Sequence, residues 1–390
     1  MRTKRLAILF EANIYDRKGL VNAVINRARY IKKIADYTVD VYCLQGYPAG
    51  LNRFVRKKAS RKRDNQVVID GVTVHLLWFK CFLIDDFLGH RLNIKTIVND
   101  WFVMDSVCKK LKDYDFISVH GFTKCVLRLN KEYGIPFSAT WHGTDIHSVP
   151  YRSKYNKRLV LDILSKAKMN FFVSRHLLEQ AQTLAGDIPA MVSYNGVNDS
   201  FVRFSISDRE KLRIKFGVLK RKVVAFVGNL VHVKNVMELP VIFSDIKKKY
   251  KEDVVFWIIG DGYKREQLES ATNNMGLDCR FWGDQAVEKM PSFYNSIDVL
   301  ILPSKNEGLG MVLVEAIRCG ANAVGSKVGG IPEVVGDENV FPLDDSFAEM
   351  ISDRIAYMLS HNIVQTISPE FSWESSVSKE NIVFDKYMYI

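Results

Sequence analysis

Residues 307–315 read Glu307-Gly-Leu-Gly-Met-Val-Leu-Val-Glu315, with two carboxylates on either side of a Gly-x-Gly turn and an apolar run. The segment before them, Asp298-Val-Leu-Ile-Leu-Pro303, is typical of a buried parallel strand that ends in a turn. A strand, a glycine turn and a helix form the usual geometry for binding an anion, because the first N–H groups of the helix are unpaired and its dipole is positive there. The stretch therefore predicts a parallel α/β fold with an anion site after this strand.

The spacing of the two carboxylates indicates what kind of anion binds. A helix rises about 1.5 Å per residue, so the loop and the first turns place Glu307 and Glu315 on the order of 10 Å apart. A sugar nucleotide has this span, with sugar hydroxyls at one end, ribose hydroxyls at the other and a diphosphate between, and carboxylates accept such hydrogen bonds well. We therefore predict that Glu315 binds the ribose. The predicted ligands of the sugar and diphosphate are Glu307, Gly308, Leu309 and Gly310.

Short apolar runs alternate with amphipathic stretches in both halves of the chain, which predicts parallel, doubly wound sheets. The expected strands are 6–10, 39–44, 72–77, 116–119, 137–140, 170–173, 223–227, 254–259, 279–282, 299–302 and 322–324. The expected helices are 20–34, 98–111, 155–167, 236–250, 265–275 and 287–295. Two Rossmann-like domains follow from this pattern, residues 1–199 and 200–376, with a turn at Asn195-Gly196-Val197 just before the boundary.

The composition suits two soluble domains. The chain has 390 residues, of which 47% are hydrophobic, enough for two cores. No apolar run approaches the roughly 18–20 residues of a membrane span, and the one at the N-terminus is shorter than a secretory signal requires. The six cysteines have no Cys-x-x-Cys spacing. We expect them to be reduced, buried thiols in a cytoplasmic protein.

Positive charge is concentrated in the first half. Residues 1–200 hold 32 Lys and Arg against 18 Asp and Glu, whereas residues 201–390 hold 23 against 26, and the whole chain has a net charge of +11. A basic half predicts an anionic partner. No nucleic-acid recognition motif is present, so we expect no nucleic acid among the partners.

Seven of these cations lie within residues 53–63, which we call the basic run, and the aromatic segment 76–84 follows closely. Basic residues beside exposed aromatics are typical of docking on an anionic membrane, where each charge contributes roughly 1 kcal/mol. The prediction is peripheral binding to the inner face of the plasma membrane, and the alternative is a solvated loop. The predicted membrane patch is Arg53, Arg56, Lys57, Lys58, Arg61, Lys62 and Arg63.

Residues 307–315 resemble the Glu-x7-Glu signature of retaining family 4 glycosyltransferases of the GT-B fold, and residues 325–333 resemble the family's vGGipE loop. The resemblance implies two Rossmann-like domains whose parallel sheets face across a cleft. It also implies that a C-terminal helix, residues 377–390, crosses back onto the N-terminal, acceptor-side domain. The second domain would bind the nucleotide sugar.

The activity that the resemblance implies is transfer of a sugar, typically a hexose, from a nucleotide-sugar donor to a hydroxyl of a saccharide or lipid-linked acceptor. Retention of the anomeric configuration and independence of metal or any other cofactor come with family membership. With no obvious carboxylate nucleophile, the reaction is expected to be a front-face substitution through an oxocarbenium-like state. The basic first half of the chain, and the pathways in which members of this family commonly act, favour a role in surface polysaccharide biosynthesis.

Further donor residues are carried over from family motifs in the second half. Residues 228–234 resemble a Gly-Arg-x4-Lys-Gly segment, in which Lys234 matches but Asn229 replaces the arginine, which removes one cation from the diphosphate site. The predicted catalytic residues are Lys234 and Glu307, together with His142 in the first half. The remaining predicted donor contacts are Gly228, Gly260 and Gly262 in glycine turns and Gln285 in the loop at the base.

In the first half, residues 141–145 resemble the family's His-Gly-x-Asp loop after a strand. By this resemblance His142 approaches the donor sugar, and Asp145 orients it or contacts the acceptor. Other predicted acceptor-side residues are His120, for which a structural role is an equal alternative, and Gly19, the single glycine where the family has two. Asp113-Tyr-Asp115 precedes a strand, and we interpret it as a surface turn rather than a metal site.

Two other functions remain open from the sequence. Nucleotide-sugar 2-epimerases share the GT-B architecture and bind similar donors, but release an altered sugar without an acceptor. A non-catalytic nucleotide-sugar-binding protein is the other alternative, because Asn229 stands at the arginine position. Donor consumption with and without acceptor distinguishes the three.

Overall fold

The computed structural model describes residues 3–15, 19–48, 64–81, 104–361 and 363–389. The chain divides into two compact units, one formed by Met1–Gly196 with Ser372–Ile390 and the other by Val197–Phe371. The division follows Gly196, within the turn 195–197, whereas the sequence predicted it after residue 199. Each unit has its own sheet.

The first unit is built on a sheet that is parallel apart from one edge hairpin. Its strands are β1 (Arg5–Glu11), β2 (Thr38–Pro48), β3 (Gln66–Ile69), β4 (Val72–Cys81), β5 (Phe116–His120), β6 (Phe137–Trp141), β7 (Met169–Phe172) and β8 (Ala190–Val192). Their order is β3-β4-β2-β1-β5-β6-β7-β8. Only the pairing of β3 with β4 is antiparallel among these described strands. The strand order reverses between β1 and β5, which is where open α/β sheets bind ligands.

Within residues 19–185, the described part of the chain forms seven helices, two of which begin at capping serines. They are α1 (Gly19–Ile34), α2 (Met104–Leu111), α3 (Lys124–Tyr133), α4 (Thr144–His147), α5 (Val149–Arg152), α6 (Lys154–Lys166) and α7 (Arg175–Ala185). Ser153 and Ser174 cap α6 and α7 by accepting from Asn156 N and Leu177 N. The sequence analysis did not predict α3, α4, α5 or α7.

The second unit has an all-parallel sheet whose central strands are buried and almost continuously apolar. The strands are β9 (Lys222–Val227), β10 (Val254–Ile259), β11 (Cys279–Gly283), β12 (Val299–Leu302), β13 (Asn322–Ser326) and β14 (Val340–Phe341), in the order β11-β10-β9-β12-β13-β14. This is the order of a Rossmann fold, with the reversal between β9 and β12. Ligands are therefore expected at the loops that follow these two strands.

Prolines decide where two helices of the second unit begin. The helices are α8 (Ile206–Lys215), α9 (Leu239–Lys249), α10 (Arg265–Asn274), α11 (Met290–Tyr294), α12 (Met311–Arg318), α13 (Ile331–Val335) and α14 (Phe347–Ser360). The sequence predicted single helices over 236–250 and 287–295. Each is instead a 3-10 turn followed by an α-helix, because Pro240 and Pro291 lack an N–H and occupy the first turns of α9 and α11.

The helix after the second unit returns to the first. It is α15 (Trp373–Met388), which begins four residues before the predicted segment and is capped by the Ser372 side chain. Its buried side chains, among them Trp373 and Phe384, share one hydrophobic core with α1 and β1. This helix therefore belongs to the first unit.

The aromatic segment near the basic run is not the exposed surface that the sequence predicted. Leu76, Leu77 and Phe79 lie in β4 and are 3%, 3% and 8% exposed. Trp78 is half-buried and its indole N–H donates to Asp64 O at 2.8 Å. The prediction of exposed aromatics is wrong for these residues, because β4 continues to Cys81 and packs into the sheet. Residues 82–84 of the segment and the basic run lie outside the described residues.

The described cysteines are free thiols, but one of them is less buried than predicted. Cys43, Cys108, Cys125 and Cys319 are buried, whereas Cys279 at the start of the edge strand β11 is only partly buried. In the described part of the chain, no helix has the length and apolar character needed to cross a membrane.

Candidate functional site

The loops that follow β9 and β12 meet at the point where the strand order reverses. Lys305 N donates to Val233 O at 2.8 Å, which joins the two loops. Lys234, at the end of a short 3-10 turn, forms an ion pair with Glu307, and both side chains are partly buried. The hydroxyl of Ser304 lies 3.4 Å from the same carboxylate oxygen. The structure thus brings together the lysine and the first glutamate that the sequence selected.

A glycine at the N-terminus of α12 allows the chain to turn from the loop into the helix. Gly310 has a backbone φ of +87°, which residues that carry a side chain rarely adopt. A Cβ there would lie 3.1 Å from Leu313 and 3.2 Å from Leu302, closer than is usual for packed side chains. No acidic residue occupies the first turn of α12. Because the first N–H groups of a helix lack carbonyl partners within the helix, the N-terminus of α12 is suited to bind an anion.

The vGGipE-like loop packs against the backbone of Glu307. Gly329 has a φ of +56°, and a Cβ on it would overlap with the carbonyl oxygen of Glu307. The Ser326 hydroxyl donates to Ser304 O at 2.5 Å, which fixes the end of β13 against the same loop. The first glycine of the vGGipE motif, Gly329, thus has a packing role against the Glu307 backbone.

The glycine turn after β10 supports the Lys234 loop in the same way. Cβ atoms on Gly260 and Gly262 would overlap with the carbonyl oxygens of Gly228 and Leu230. Leu230 N donates to Asp261 O at 2.8 Å across the same contact. Close backbone packing is therefore sufficient to explain these glycines, whether or not they also contact a ligand.

Glu315 lies on α12 and has a partner that the sequence analysis missed. The hydroxyl of Tyr294 donates to Glu315 Oε2 at 2.8 Å, and the tyrosine is completely buried at the end of α11. Burial raises the pKa of the Glu315 carboxyl to about 7, although the Tyr294 bond opposes the shift. Nothing in the local sequence marks Tyr294, because its partner lies 21 residues away on another helix.

The positions of two other predicted donor residues, Asn229 and Gln285, indicate less about a ligand. Asn229 follows β9 and is exposed to solvent. The Gln285 side chain donates to Trp282 O at 2.6 Å, so it turns back onto the end of its own strand. Lys234 and Lys305 are the two lysines of the switch-point loops, and Lys305 Nζ lies 3.4 Å from His232 Nε2.

In the first unit, two histidines at the C-terminal ends of β5 and β6 contact each other: His120 is the last residue of β5, and His142 comes directly after β6. His120 Nδ1 lies 3.1 Å from His142 Nε2, and the rings stack with centroids 5.4 Å apart. Burial lowers the pKa of His142 to about 3, with a smaller contribution from the positive charge of Arg27. The pKa of His120 is also lowered, by burial, by His142 and by Arg27. Both rings are therefore neutral at physiological pH.

Asp145 fixes the loop that carries His142. Its buried carboxylate accepts from His142 N at 3.0 Å and from Gly143 N at 2.8 Å. Burial raises its pKa, while these backbone bonds favour the ionised form. The structure thus gives Asp145 an orienting role toward the His142 loop.

A buried ion pair between α1 and α15 is another feature that the sequence analysis missed. Arg27 of α1 pairs with Glu380 of α15, and both side chains are completely buried. Arg27 also donates to Ser193 O at 2.9 Å and to Asn195 Oδ1 at 3.1 Å. The pair connects two helices with the last residues of the first unit before Val197.

Some predicted residues lie elsewhere. Gly19 is the first residue of α1, with a φ of +22°, and residues 16–18 before it are not described. Asp115 lies at the N-terminal end of β5, where it accepts from Arg5 N at 2.8 Å and pairs with Lys4. In the ranges that the structure describes, no three His, Cys, Asp or Glu side chains group as a metal site.

Comparison with known proteins identifies the family. The family described as "Glycosyltransferase Family 4" matches residues 17–201, and the family described as "Glycosyl transferases group 1" matches residues 208–367. The chain is a group 1 glycosyltransferase. This glycosyltransferase is 26% identical over 302 residues to the uncharacterized glycosyltransferase MJ1607 of Methanocaldococcus jannaschii, over 69% of this chain and 74% of that protein.

Two further similarities place the glycosyltransferase among known proteins. It is 24% identical over 222 residues to the putative teichuronic acid biosynthesis glycosyltransferase TuaC of Bacillus subtilis, over 57% of this chain and 54% of that protein. Its fold matches the crystal structure of Anabaena HepE in complex with UDP, with a TM-score of 0.69 and 18% identity over 98% of this chain and 95% of that chain. The predicted GT-B fold of two Rossmann-like units is confirmed.

Proposed function

We propose that this glycosyltransferase transfers a hexose from a nucleoside diphosphate sugar to an acceptor hydroxyl, with retention of the anomeric configuration and without a metal. The Lys234–Glu307 ion pair near the start of α12 carries the proposal, because it puts a cation and a carboxylate beside a helix N-terminus. Glu315, further along α12, is available for the ribose. The match to a UDP complex supports UDP as the nucleotide.

Lys234 and the N–H groups of α12 stabilise the diphosphate as it leaves. The bond between the anomeric carbon and the phosphate oxygen breaks, and the acceptor oxygen attacks the same face of an oxocarbenium-like sugar. The acceptor proton passes to the departing diphosphate. Fixed cations and dipoles lower this barrier, because charge develops on the leaving oxygen. Family resemblance assigns His142 to the reacting sugar.

We further propose that the acceptor is lipid-linked and that the product enters a surface polysaccharide, on the cytoplasmic face of the plasma membrane. The basic first half of the chain and the similarity to a putative teichuronic acid enzyme support this acceptor class.

An assay of donor consumption tests the function. UDP-glucose, UDP-galactose and UDP-N-acetylglucosamine are each incubated with the protein, with and without lipid-linked saccharides from bacterial membranes. Transfer predicts acceptor-dependent release of UDP and an α-linked product by NMR. A 2-epimerase would convert the donor without acceptor, and a binding protein would consume none of the three. Either result would overturn the proposal.

Glu315→Ala is expected to weaken binding of UDP tenfold or more. A charge-assisted hydrogen bond to the ribose contributes about 1.5–3 kcal/mol. Calorimetry measures the affinity, and Glu349→Ala, which replaces an exposed glutamate in the first turn of α14, serves as a comparison within the same unit. An unchanged affinity for UDP would remove Glu315 from the ribose site.

The raised pKa of Glu315 adds a pH dependence to the same prediction. The carboxyl ionises as the pH rises through about 7, and only the ionised form accepts two full hydrogen bonds from ribose hydroxyls. Affinity for UDP-glucose, whose diphosphate does not titrate in this range, should therefore rise between pH 6 and 8. Glu315→Gln should bind more weakly with no such rise. A rise that persists in Glu315→Gln would come from another group.

His142→Ala is expected to lower sugar transfer at least about tenfold while UDP affinity stays within twofold. A hydrogen bond to a group that gains charge in the transition state is worth about 1.5–3 kcal/mol. Steady-state kinetics and calorimetry provide the two measurements. His176→Ala, a replacement of another histidine of the first unit, is the control. Equal losses in transfer and in UDP affinity would show that His142 is structural.

Salt-sensitive binding to anionic vesicles is the expected behaviour if the basic run docks on membranes. The screening length shrinks from about 10 Å at 0.1 M salt to about 3 Å at 1 M, so attraction between charges is lost at high salt. The protein should sediment with phosphatidylglycerol vesicles at 0.05 M NaCl and not at 1 M. Neutralising the seven residues of the membrane patch should abolish sedimentation without changing UDP affinity. Sedimentation that ignores both changes would leave the basic run as a solvated loop.

A further inference from the structure

A second lysine lies beside Lys234 at the carboxyl edge of the second sheet. Lys305 comes three residues after the end of β12, and its backbone N–H donates to Val233 O at 2.8 Å. Val233 is the residue directly before Lys234, so this bond brings the backbones of the two lysines together. Lys305 is exposed to solvent, whereas Lys234 is partly buried. The two cations therefore share one edge of the sheet but differ in their access to a ligand from solution.

The side chain of Lys305 reaches the loop that follows β9. Its Nζ lies 3.4 Å from His232 Nε2. An ammonium group only donates hydrogen bonds, so this ring nitrogen has to be the acceptor and the ring is then neutral. His232 is itself held by Tyr263, whose hydroxyl accepts from His232 N at 2.8 Å. The partner that holds Lys305 is thus a neutral ring, which does not cancel the positive charge.

The two lysines cross between the loops in opposite directions. Lys234, from the loop after β9, pairs with Glu307 in the loop after β12. Lys305, from the loop after β12, contacts His232 in the loop after β9. The first crossing joins opposite charges, whose effects on a third charge largely cancel. The second crossing joins a cation to a neutral ring and therefore leaves a net positive charge at the site.

The charge balance of the two loops shows why this positive charge bears on ligand binding. Residues 228–235 and 303–310 hold Lys234, Lys305 and Glu307 as their Lys, Arg, Asp and Glu side chains. Lys234 and Glu307 compensate each other, whereas a diphosphate diester carries a negative charge on each phosphate. The N-terminus of α12 contributes about half an elementary charge. Lys305 is therefore the remaining source of positive charge in these loops for a diphosphate.

The acidic group of the third loop at this edge does not compete for Lys305. Asp261 follows β10, and its Oδ2 accepts from the Arg265 guanidinium at 3.0 Å. Its Oδ1 accepts from Gly262 N at 2.7 Å. Both carboxylate oxygens are thus used within the Asp261 loop and the first residue of α10.

We propose that Lys305 is the second cation of the diphosphate site, and that its ammonium group moves from His232 to a phosphate oxygen when a nucleoside diphosphate sugar binds. The inference rests on the proposed function, which puts the diphosphate at the N-terminus of α12. A long contact with a neutral ring is exchanged for a charge-assisted hydrogen bond, which is shorter and stronger. Lys305 thereby supplies a charge that Asn229, exposed in the loop after β9, does not.

The test is calorimetry of the full chain with UDP and with uridine, at about 0.05 M NaCl so that salt screens an exposed charge little. The variants are Lys305→Ala, Lys305→Arg and, as a matched control, Lys220→Ala. Lys220 is also exposed, but it precedes β9 and so lies at the opposite edge of the same sheet. Lys305→Ala keeps the backbone bond to Val233, so a change in affinity reports on the ammonium group.

Lys305→Ala should weaken binding of UDP about three- to tenfold, as expected for a charge-assisted hydrogen bond from an exposed side chain. Its affinity for uridine, which has no phosphate, should stay within twofold of the wild type. Lys305→Arg should retain the UDP affinity, and Lys220→Ala should change neither affinity. Adding Asn229→Arg to Lys305→Ala should recover most of the loss, because it returns a cation to the same loops.

A UDP affinity within twofold of the wild type in Lys305→Ala, or an equal loss for uridine, would overturn the proposal. A loss that neither Lys305→Arg nor the added Asn229→Arg avoids would do the same. Because no acceptor is present, failure of the transfer assay leaves this result unaffected. Sugar transfer together with an unchanged UDP affinity in Lys305→Ala would remove this role and leave the proposed function intact. A wild type that does not bind UDP would overturn this proposal together with the assignment of UDP as the nucleotide.

Discussion

Replacing Lys234 with alanine is expected to lower the turnover number about a hundredfold or more. The lysine is partly buried at the switch point of the second sheet, and its ammonium group contacts Glu307 at the start of α12. Removing one preorganised group that stabilises developing charge costs roughly 2.7–4 kcal/mol of activation free energy. Asn229 at the usual arginine position makes the expected loss larger, because one cation of the family pattern is already missing.

Three measurements separate this role from a structural one. The loss in turnover should exceed any loss in affinity for uridine, which has no phosphate. Lys211→Ala, which removes an exposed lysine paired with Asp208 on α8, should change turnover less than twofold. A Lys234→Ala enzyme that retains a third of wild-type turnover, or a donor complex in which Lys234 points into solvent, would rule out the assignment.

The second large effect is expected on stability. Glu380→Ala should reduce the free energy of unfolding of the first unit by about 3–5 kcal/mol, because it leaves Arg27 as an unpaired charge in a completely buried position. Burial already lowers the pKa of Arg27 to about 9, which shows that its charged form is costly there. The slowest exchanging amides of β1 and β5 report this unit separately from the other.

Two variants serve as controls for Glu380→Ala. Glu374→Ala removes an exposed carboxylate from the first turn of the same helix and should cost less than about 1 kcal/mol. Replacing Arg27 with Met and Glu380 with Leu together removes both charges and should recover most of the loss, since apolar residues often replace buried ion pairs without harm. Equal effects of Glu380→Ala and Glu374→Ala would contradict the prediction.

The strands were predictable from the sequence because a buried parallel strand is an unbroken apolar run. Val254–Ile259 and Val299–Leu302 have the predicted bounds. Helix starts were less predictable, because Pro240 and Pro291 lie inside amphipathic patterns that continue before them. The pattern of side-chain hydrophobicity does not show where the backbone stops forming hydrogen bonds.

The candidate site residues likewise differ in whether the local sequence indicates them. Lys234 and Glu307 follow strands and belong to short motifs, so local sequence indicated them. Arg27 and Glu380 are 353 residues apart, and only the folded chain brings them together. Local patterns indicate candidate ligand-binding residues, whereas a buried pair that joins distant parts of the chain leaves no mark in the local sequence.

The return of α15 to the first unit has a consequence during protein synthesis. On the ribosome, the nascent chain completes all of β1 to β8 long before Trp373 emerges, and residues 197–371 can finish folding in between. Until translation passes residue 388, the core of the first unit lacks Trp373, Val377 and Phe384, and the facing side of α1 stays uncovered. Co-translational folding in which the N-terminal unit finishes first is therefore not expected for this chain. The first unit is expected to need chaperones until the last helix arrives.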